Sequence, residues 1–152
     1  MKSISIEQAA IRGHIRELSR QLTMLNRNVG ARVELREGDL SCLDLLARQG
    51  PMSPKALAGL ARLHPATLTG VLDRLEANGW IERARDPDNR RAVLVRARGQ
   101  RARDLMGLYA GMNSAINDIC TSYSPAELAV IAGFLARLIE AGRAANAALA
   151  EG

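Results

Sequence analysis

Aromatic side chains are scarce in this chain of 152 residues, at 3%. Its core must be built from Leu, Ile, Val and Ala, and with few Gly and Pro inside the periodic segments that composition favours helices. Cys42 and Cys120 are the only cysteines; they lack the spacing of a metal pair, and neither neighbours a His. Isolated cysteines in apolar helical patterns are usually small core residues. The N-terminus has no apolar run of the signal-peptide kind, and no segment approaches the ~20 apolar residues of a membrane span. The expectation is a soluble, cytoplasmic protein with no membrane partner. The chain also lacks a nucleophile–base pair, a Gly-rich phosphate loop and a metal-ligand spacing. An enzyme is excluded on those grounds, and no catalytic residue, metal or cofactor is expected. His14 reads as an interface or surface residue near an N-terminal apolar seam, and His64 as a polar turn residue.

Positive charge is not lacking. The formal net charge is +5, and the stretch Trp80 to Arg103 holds eight arginines against three acids, which accounts for all of it. So focused an excess is the footprint of a polyanion partner.

Residues 4–34 read as one long helix. Ile11, Ile15, Leu18, Leu22, Leu25 and Val29 recur at alternating steps of four and three, a heptad-like seam that another helix must cover. Gly38-Asp39 reads as the next helix start, with Leu40, Leu43, Leu46 and Ala47 inward and Gly50-Pro51 as its stop. Ser53-Pro54 opens a short helix to about Ala61 that buries Leu57 and Leu60. Pro65 opens another, to about Asn78, with Leu68, Val71, Leu72 and Leu75 inward and Asn78-Gly79 as its end. Strands are expected at 80–83 and 92–95, joined by the turn Asp86-Pro87-Asp88-Asn89. A continuous helix is expected from Gly99 to about Tyr123, with Leu105, Leu108, Met112, Ile116 and Ile119 on one face. The capping box Ser124-Pro125-Ala126-Glu127 starts the last helix, with Leu128, Ile131, Leu135 and Leu138 inward. The tail from Ala144 to Ala150 is expected to fray.

Two short helices joined tightly and followed at once by a hairpin make a winged helix-turn-helix. The fold class is mainly α with a small β-hairpin wing, the DNA-binding domain (37–98) being intergrown with a helical dimerisation region (1–36 and 99–152). The helix from Pro65 turns Ala66, Thr67, Thr69, Gly70, Asp73 and Arg74 away from its buried face. Small and hydroxylated residues at its N-terminus let the backbone approach a major groove and leave hydroxyls for phosphates or base edges. The hairpin tip then reaches a flanking minor groove, where planar, always-charged arginines suit the concentrated negative potential. Arg90 and Arg91 are therefore expected at the minor groove or phosphates, and Arg83, Arg85 and Arg96 at the backbone. Asp86 and Asp88 are expected to pair with Arg90 or Arg91 and support the wing.

At these residues the chain resembles the MarR family of bacterial transcriptional regulators. "LHPATLTGVLDRLEANGWIERARDPDNRRAVLVRA" is similar to that family's recognition helix and wing, and "DLSCLDLLARQGPMSPKALAGLA" and "SPAELAVIAGFLARL" extend the likeness. The resemblance implies that Thr67, Thr69 and Arg74 contact DNA and that Arg91 is the wing arginine. Asn89 stands where the family usually has Asp two residues before that arginine, and Ala97-Arg98 replaces its usual Leu-Thr. It further implies a homodimer on a palindromic operator, with the seam Ile11, Ile15, Leu18, Leu22 and the last helix's Leu128, Leu135 and Leu138 at the interface. A small, often aromatic ligand that releases a repressor from DNA is part of the same expectation. The rival readings are a thiol-based redox sensor of the same family and a winged-helix interaction module that no longer binds DNA.

Overall fold

The computed structural model describes residues 5–150; the expected first residue of the long helix lies outside that range. Helix α1 spans Ile6–Val33. Ser5 caps it: its Oγ accepts the Gln8 N–H at 3.2 Å, and Gln8 Oε1 accepts the Ser5 N–H at 3.0 Å. The chain leaves α1 through Glu34 in the left-handed region, at φ 57°. There the Leu35 N–H donates to Gly30 O at 2.8 Å. A Cβ on Gly30 would stand 2.6 Å from the Leu35 carbonyl oxygen, so this turn requires glycine.

Helix α2 (Glu37–Gln49) starts earlier than Gly38, which falls in its first turn. Arg36 occupies the cap position, and Asp39 supplies the capping oxygen from inside the helix: its Oδ2 accepts the Arg36 N–H at 3.1 Å. Helix α3 (Pro54–Ala61) is capped by Ser53, whose Oγ accepts the Ala56 N–H at 3.1 Å. It buries Leu57 and Ala58, but Leu60 is 49% exposed, against expectation. At 100° per residue Leu60 is rotated roughly 100° from the centre of the Leu57–Ala58–Ala61 face. Ala47, in the last turn of α2, is exposed as well.

Arg62, at φ 52°, turns the chain from α3 into α4 (Pro65–Ala77). Helix α4 buries Leu68, Val71, Leu72 and Leu75, the expected four. Gly79 at φ 74° follows it, and the Trp80 N–H returns to Leu75 O at 2.8 Å. Trp80 is thus spent on the helix exit, and strand β1 begins one residue later than expected, at Ile81–Arg85. It pairs antiparallel with β2 (Val93–Ala97), Ile81 opposite Ala97 and Arg85 opposite Val93. A third, one-residue rung was not legible in the sequence. The Met52 N–H donates to Val95 O at 3.1 Å and the Val95 N–H to Met52 O at 2.8 Å. This docks the chain before α3 on the hairpin.

The single helix expected over 99–123 is interrupted. Helix α5 covers Gly99–Gly107 and α6 covers Ala110–Cys120. At the break, Leu108 and Tyr109 donate to carbonyls three residues back, Leu105 and Met106. Gly107 has a low helix propensity. The Tyr109 hydroxyl is held by Asn26 Oδ1 of α1 at 3.0 Å. Helix α7 (Pro125–Ala150) opens with the expected box, the Ser124 N–H donating to Glu127 Oε2 at 2.8 Å and the Glu127 N–H to Ser124 Oγ at 3.3 Å. It runs on through the alanine-rich tail instead of fraying, consistent with alanine's helix propensity.

The chain divides into two compact units, one running through Tyr109 and one from Ala110 on. The first contains the core: Leu57, Leu68, Leu72 and Leu75 from the two short helices, closed by Ile81 and Val95 of the hairpin and by Leu43 and Leu46 of α2. In the second, neither α6 nor α7 buries a residue.

Candidate nucleic-acid interface

Helix α4 is held at both ends by side chains. His64 Nδ1 accepts the Ala66 N–H at 3.2 Å, which satisfies one of the free donors at the helix start, and Pro65 needs no partner there. At its far end, Arg101 lies over the Trp80 ring at 4.5 Å and its Nη1 donates to Asn78 O at 2.6 Å. A cation at a helix C-terminus also suits the helix dipole. Between these anchors Ala66, Thr67 and Thr69 are exposed, and Gly70 is half-buried. Thr69 Oγ1 donates to Pro65 O at 3.0 Å; among the described residues the Thr67 hydroxyl makes no hydrogen bond.

The hairpin tip is built by its acids and amides in a way that differs from the expected ion pairs. Asp86 Oδ1 accepts the Asp88 N–H at 2.9 Å, and Asn89 Oδ1 accepts the Arg91 N–H at 3.2 Å. The Ala92 N–H donates to Asn89 O at 2.9 Å, which closes a turn with Arg90 and Arg91 at its centre. Among the described residues neither Asp86 nor Asp88 forms an ion pair with Arg90 or Arg91. The short carboxylate reaches backbone N–H groups two residues on more readily than a guanidinium at the end of a long, solvated side chain. Asn89 is therefore the residue that shapes the turn, and Asp86 supports it; Asp88 takes part through its backbone.

The arginines of the basic stretch fall into two groups. Arg83 Nη2 donates to Asp73 Oδ1 at 2.8 Å, and its Nη1 meets Glu76, so this guanidinium ties β1 to α4. Its pKa is raised, first by the Asp73 hydrogen bond. Arg96 pairs with Glu82 across the hairpin, and Arg101 serves the α4 exit. Arg85, Arg90, Arg91, Arg98 and Arg103 are exposed and make no ion pair among the described residues. Arg74 belongs with the first group: its Nη2 is bound to Asp39 Oδ1 at 2.9 Å. Arg83 and Arg96, both expected at the DNA backbone, thus have guanidinium groups engaged by carboxylates within the chain.

The profile of the MarR family matches residues 35–93. Over 128 residues the chain is 34% identical to an HTH-type transcriptional regulator of Mycobacterium bovis, Mb0904, the match covering 77% of this chain and 87% of that one. The chain belongs to the MarR family. Its fold is shared with the crystal structure of RV1404 from Mycobacterium tuberculosis, at 25% identity and a TM-score of 0.68 over 93% of this chain and 97% of that one. It is also shared with NadR, solved in complex with 4-hydroxyphenylacetate, at 21% identity and a TM-score of 0.61 over 91% and 97%. This MarR chain is accordingly a transcriptional regulator with a winged helix-turn-helix, and not an enzyme.

Two further features bear on the rival readings. Cys42 is fully buried, and burial, with the Asp39 carboxylate nearby, pushes its thiol up to about 11. A reactive thiol needs the opposite surroundings. A recess of about 160 Å³ lies between α1 and the start of α2, lined by Thr23, Asn26, Arg27, Leu35, Glu37 and Leu40. Among the described residues no helix is long and apolar enough to cross a membrane.

Proposed function

We propose that this MarR-family regulator is a homodimeric repressor that binds a palindromic operator and is released by a small aromatic ligand. In this reading α4 enters the major groove, with Pro65, Ala66, Thr67, Thr69 and Gly70 nearest the bases. Arg90 and Arg91 at the wing tip enter the flanking minor groove, and Arg85 and Arg98 meet phosphates. Arg83 and Arg96 act mainly by stiffening the wing against α4. The observation that carries the reading is the Asn89-closed turn, which puts two unpaired arginines at its centre.

The dimer rests on exposed apolar side chains: Ile11, Leu18 and Leu22 of α1, Ile116 and Ile119 of α6, and Ile131 and Leu135 of α7. Such stripes are costly in water and ordinarily mark an association surface. Ile15, Leu128 and Leu138 are half-buried and belong to the same stripes. Segments 1–36 and 99–152 then act as the dimerisation region around the DNA-binding domain 37–98. The recess beside α2 suits a compact ring with polar substituents: Leu35 and Leu40 supply apolar wall, and Asn26 Nδ2, Arg27 and Glu37 supply polar groups, Asn26 Oδ1 being taken by Tyr109. NadR, which shares the fold, was solved with 4-hydroxyphenylacetate, a ring with a hydroxyl and a carboxylate.

Binding titrations at several salt concentrations test the reading. If each chain of the dimer neutralises about three to five phosphates, log affinity falls against log salt with a slope of roughly −5 to −9. The probes are a duplex selected from a randomised pool by the wild-type chain and its scrambled counterpart. Thr67→Ala and Thr69→Ala are expected to narrow the gap between the two duplexes and leave the slope nearly unchanged, whereas Arg85→Ala flattens the slope and weakens both alike. The reverse pattern would exchange the roles of helix and wing.

A further inference from the structure

Asp39 is the one buried charged side chain among the described residues. Both of its oxygens are used. Oδ2 accepts the Arg36 N–H at 3.1 Å and so closes the start of α2; Oδ1 accepts Arg74 Nη2 at 2.9 Å, from α4, thirty-five residues away. Arg74 is not held by its own surroundings in the same way. Its Nε is buried with no partner. Its side chain is still 41% exposed, and Nη1 stands 3.7 Å from where a Cβ on Gly70 would be. The guanidinium therefore lies back along α4 by one turn, toward the end that carries Thr67 and Thr69. One edge is fixed by a carboxylate, and Nη1 lies beside a residue without a side chain.

An unpartnered buried Nε costs free energy that a freely solvated arginine would avoid. The Asp39 contact supplies the offsetting interaction, because a charge-assisted hydrogen bond inside the protein is stronger than one at the surface. Arginine also loses less rotamer freedom on binding a second partner when its planar fork is already held at one edge.

We propose that Asp39 is a positioning residue for sequence discrimination. It fixes the Arg74 guanidinium on the outward face of α4, so that Nη1 meets a base edge next to Gly70 in a preset orientation. Asp39 itself touches no DNA. The proposal rests on α4 being the groove helix and adds a residue from α2, outside the helix and wing, to the determinants of specificity.

The test is a double-variant cycle on Asp39 and Arg74, read on the selected and scrambled duplexes and by thermal melting. Arg74→Ala leaves a buried carboxylate without its partner and risks unfolding. The cycle therefore uses Arg74→Gln, Asp39→Asn and the double variant, in which a neutral pair replaces the ion pair. Asp39→Asn is expected to cut discrimination between the duplexes about tenfold, with binding to scrambled DNA and the salt slope unchanged. In the Arg74→Gln background the same change is expected to have no further effect on discrimination. If Asp39→Asn instead weakens both duplexes equally, in either background and in step with melting temperature, Asp39 is only a helix cap and the proposal is overturned. Thr67→Ala and Thr69→Ala separate the two readings. Full discrimination in those variants overturns the groove assignment and this proposal with it; lost discrimination there, with Asp39→Asn unaffected, overturns this proposal alone.

Discussion

In the winged helix, Leu57, Leu68, Leu72 and Leu75 are each 2% exposed or less. In α7, Ile131, Leu135 and Ile139 are 38%, 46% and 56% exposed. The two regions carry the same kind of apolar periodicity, yet one closes a core within the chain and the other does not. The difference is one of neighbours. The winged helix has two short helices, a hairpin and α2 to enclose a common centre, and burial of each leucine there contributes roughly 2 kcal/mol. The stripe on α7 gains that contribution only from a surface that faces it. A region of the first kind is stable by its own contacts; in the proposed dimer, one of the second kind makes stability depend on protein concentration.

The sharpest way to break this contrast is a charge in the α7 stripe. Leu135→Glu is expected to turn a dimer into a monomer at micromolar concentration by light scattering, and to weaken operator binding by about a hundredfold or more, since two half-sites no longer bind together. A wild-type chain that is already monomeric there would remove the homodimer from the proposal. Leu75→Ala is the counterpart inside the core. It is expected to cost about 3 kcal/mol through lost burial and a residual cavity, and to leave the association state of the folded protein unchanged.

A smaller effect separates the two groups of arginines. Arg91, at the wing tip, is exposed and makes no ion pair among the described residues. Arg91→Ala is expected to weaken DNA binding about tenfold while stability changes by no more than ~0.5 kcal/mol. Arg83 is tied to Asp73 and Glu76 and its side chain is 29% exposed. Arg83→Ala is expected to lower stability by about 1 kcal/mol, the upper range for partly exposed pairs, with the smaller loss of affinity. Titrations and melting curves on both variants read the division directly; equal losses of both quantities in Arg91→Ala would make that residue structural.

How much of this was legible in the sequence depended on how local the signal was. Ser53-Pro54, Pro65, Asn78-Gly79 and Ser124–Glu127 act within a few residues, and the helix ends they mark were read to within a residue or two. The buried face of α4 followed from its own period. The misses lie where a distant group decides. The break at Leu108–Tyr109 coincides with the hydrogen bond from Tyr109 to Asn26, eighty-three residues away. The Met52 rung depends on the hairpin's position, and the occupation of Arg74 by Asp39 on a buried carboxylate from another helix. A count of arginines located the candidate interface but could not divide it, because free and paired guanidinium groups look alike in a sequence. The same blindness applies to the apolar stripes: periodicity shows that a face must be covered, not by which chain.

The last and smallest effect concerns the two cysteines, one in each unit. Cys42 has no exposed surface, and Cys120 is half-buried. The Cys42 thiol is pushed up to about 11, above the ordinary 9.0, first by burial and then by the Asp39 carboxylate. The folded state thus favours the neutral thiol. Its contribution to stability is complete below the unfolded value near 9 and is lost as the pH rises through about 11. At neutral pH its thiolate is roughly a hundredfold rarer than that of an ordinary cysteine, and the reagent must also reach a fully buried side chain. Iodoacetamide at pH 7.5 or so is therefore expected to modify Cys120 alone in the native protein, with Cys42 reacting only after denaturation, as peptide mass mapping would show. Mild peroxide is expected to leave operator affinity of the Cys120→Ser variant unchanged. A loss of affinity in that variant, restored by a thiol reductant, would place a working redox switch at Cys42 and return the thiol-sensor reading in place of the ligand-responsive one.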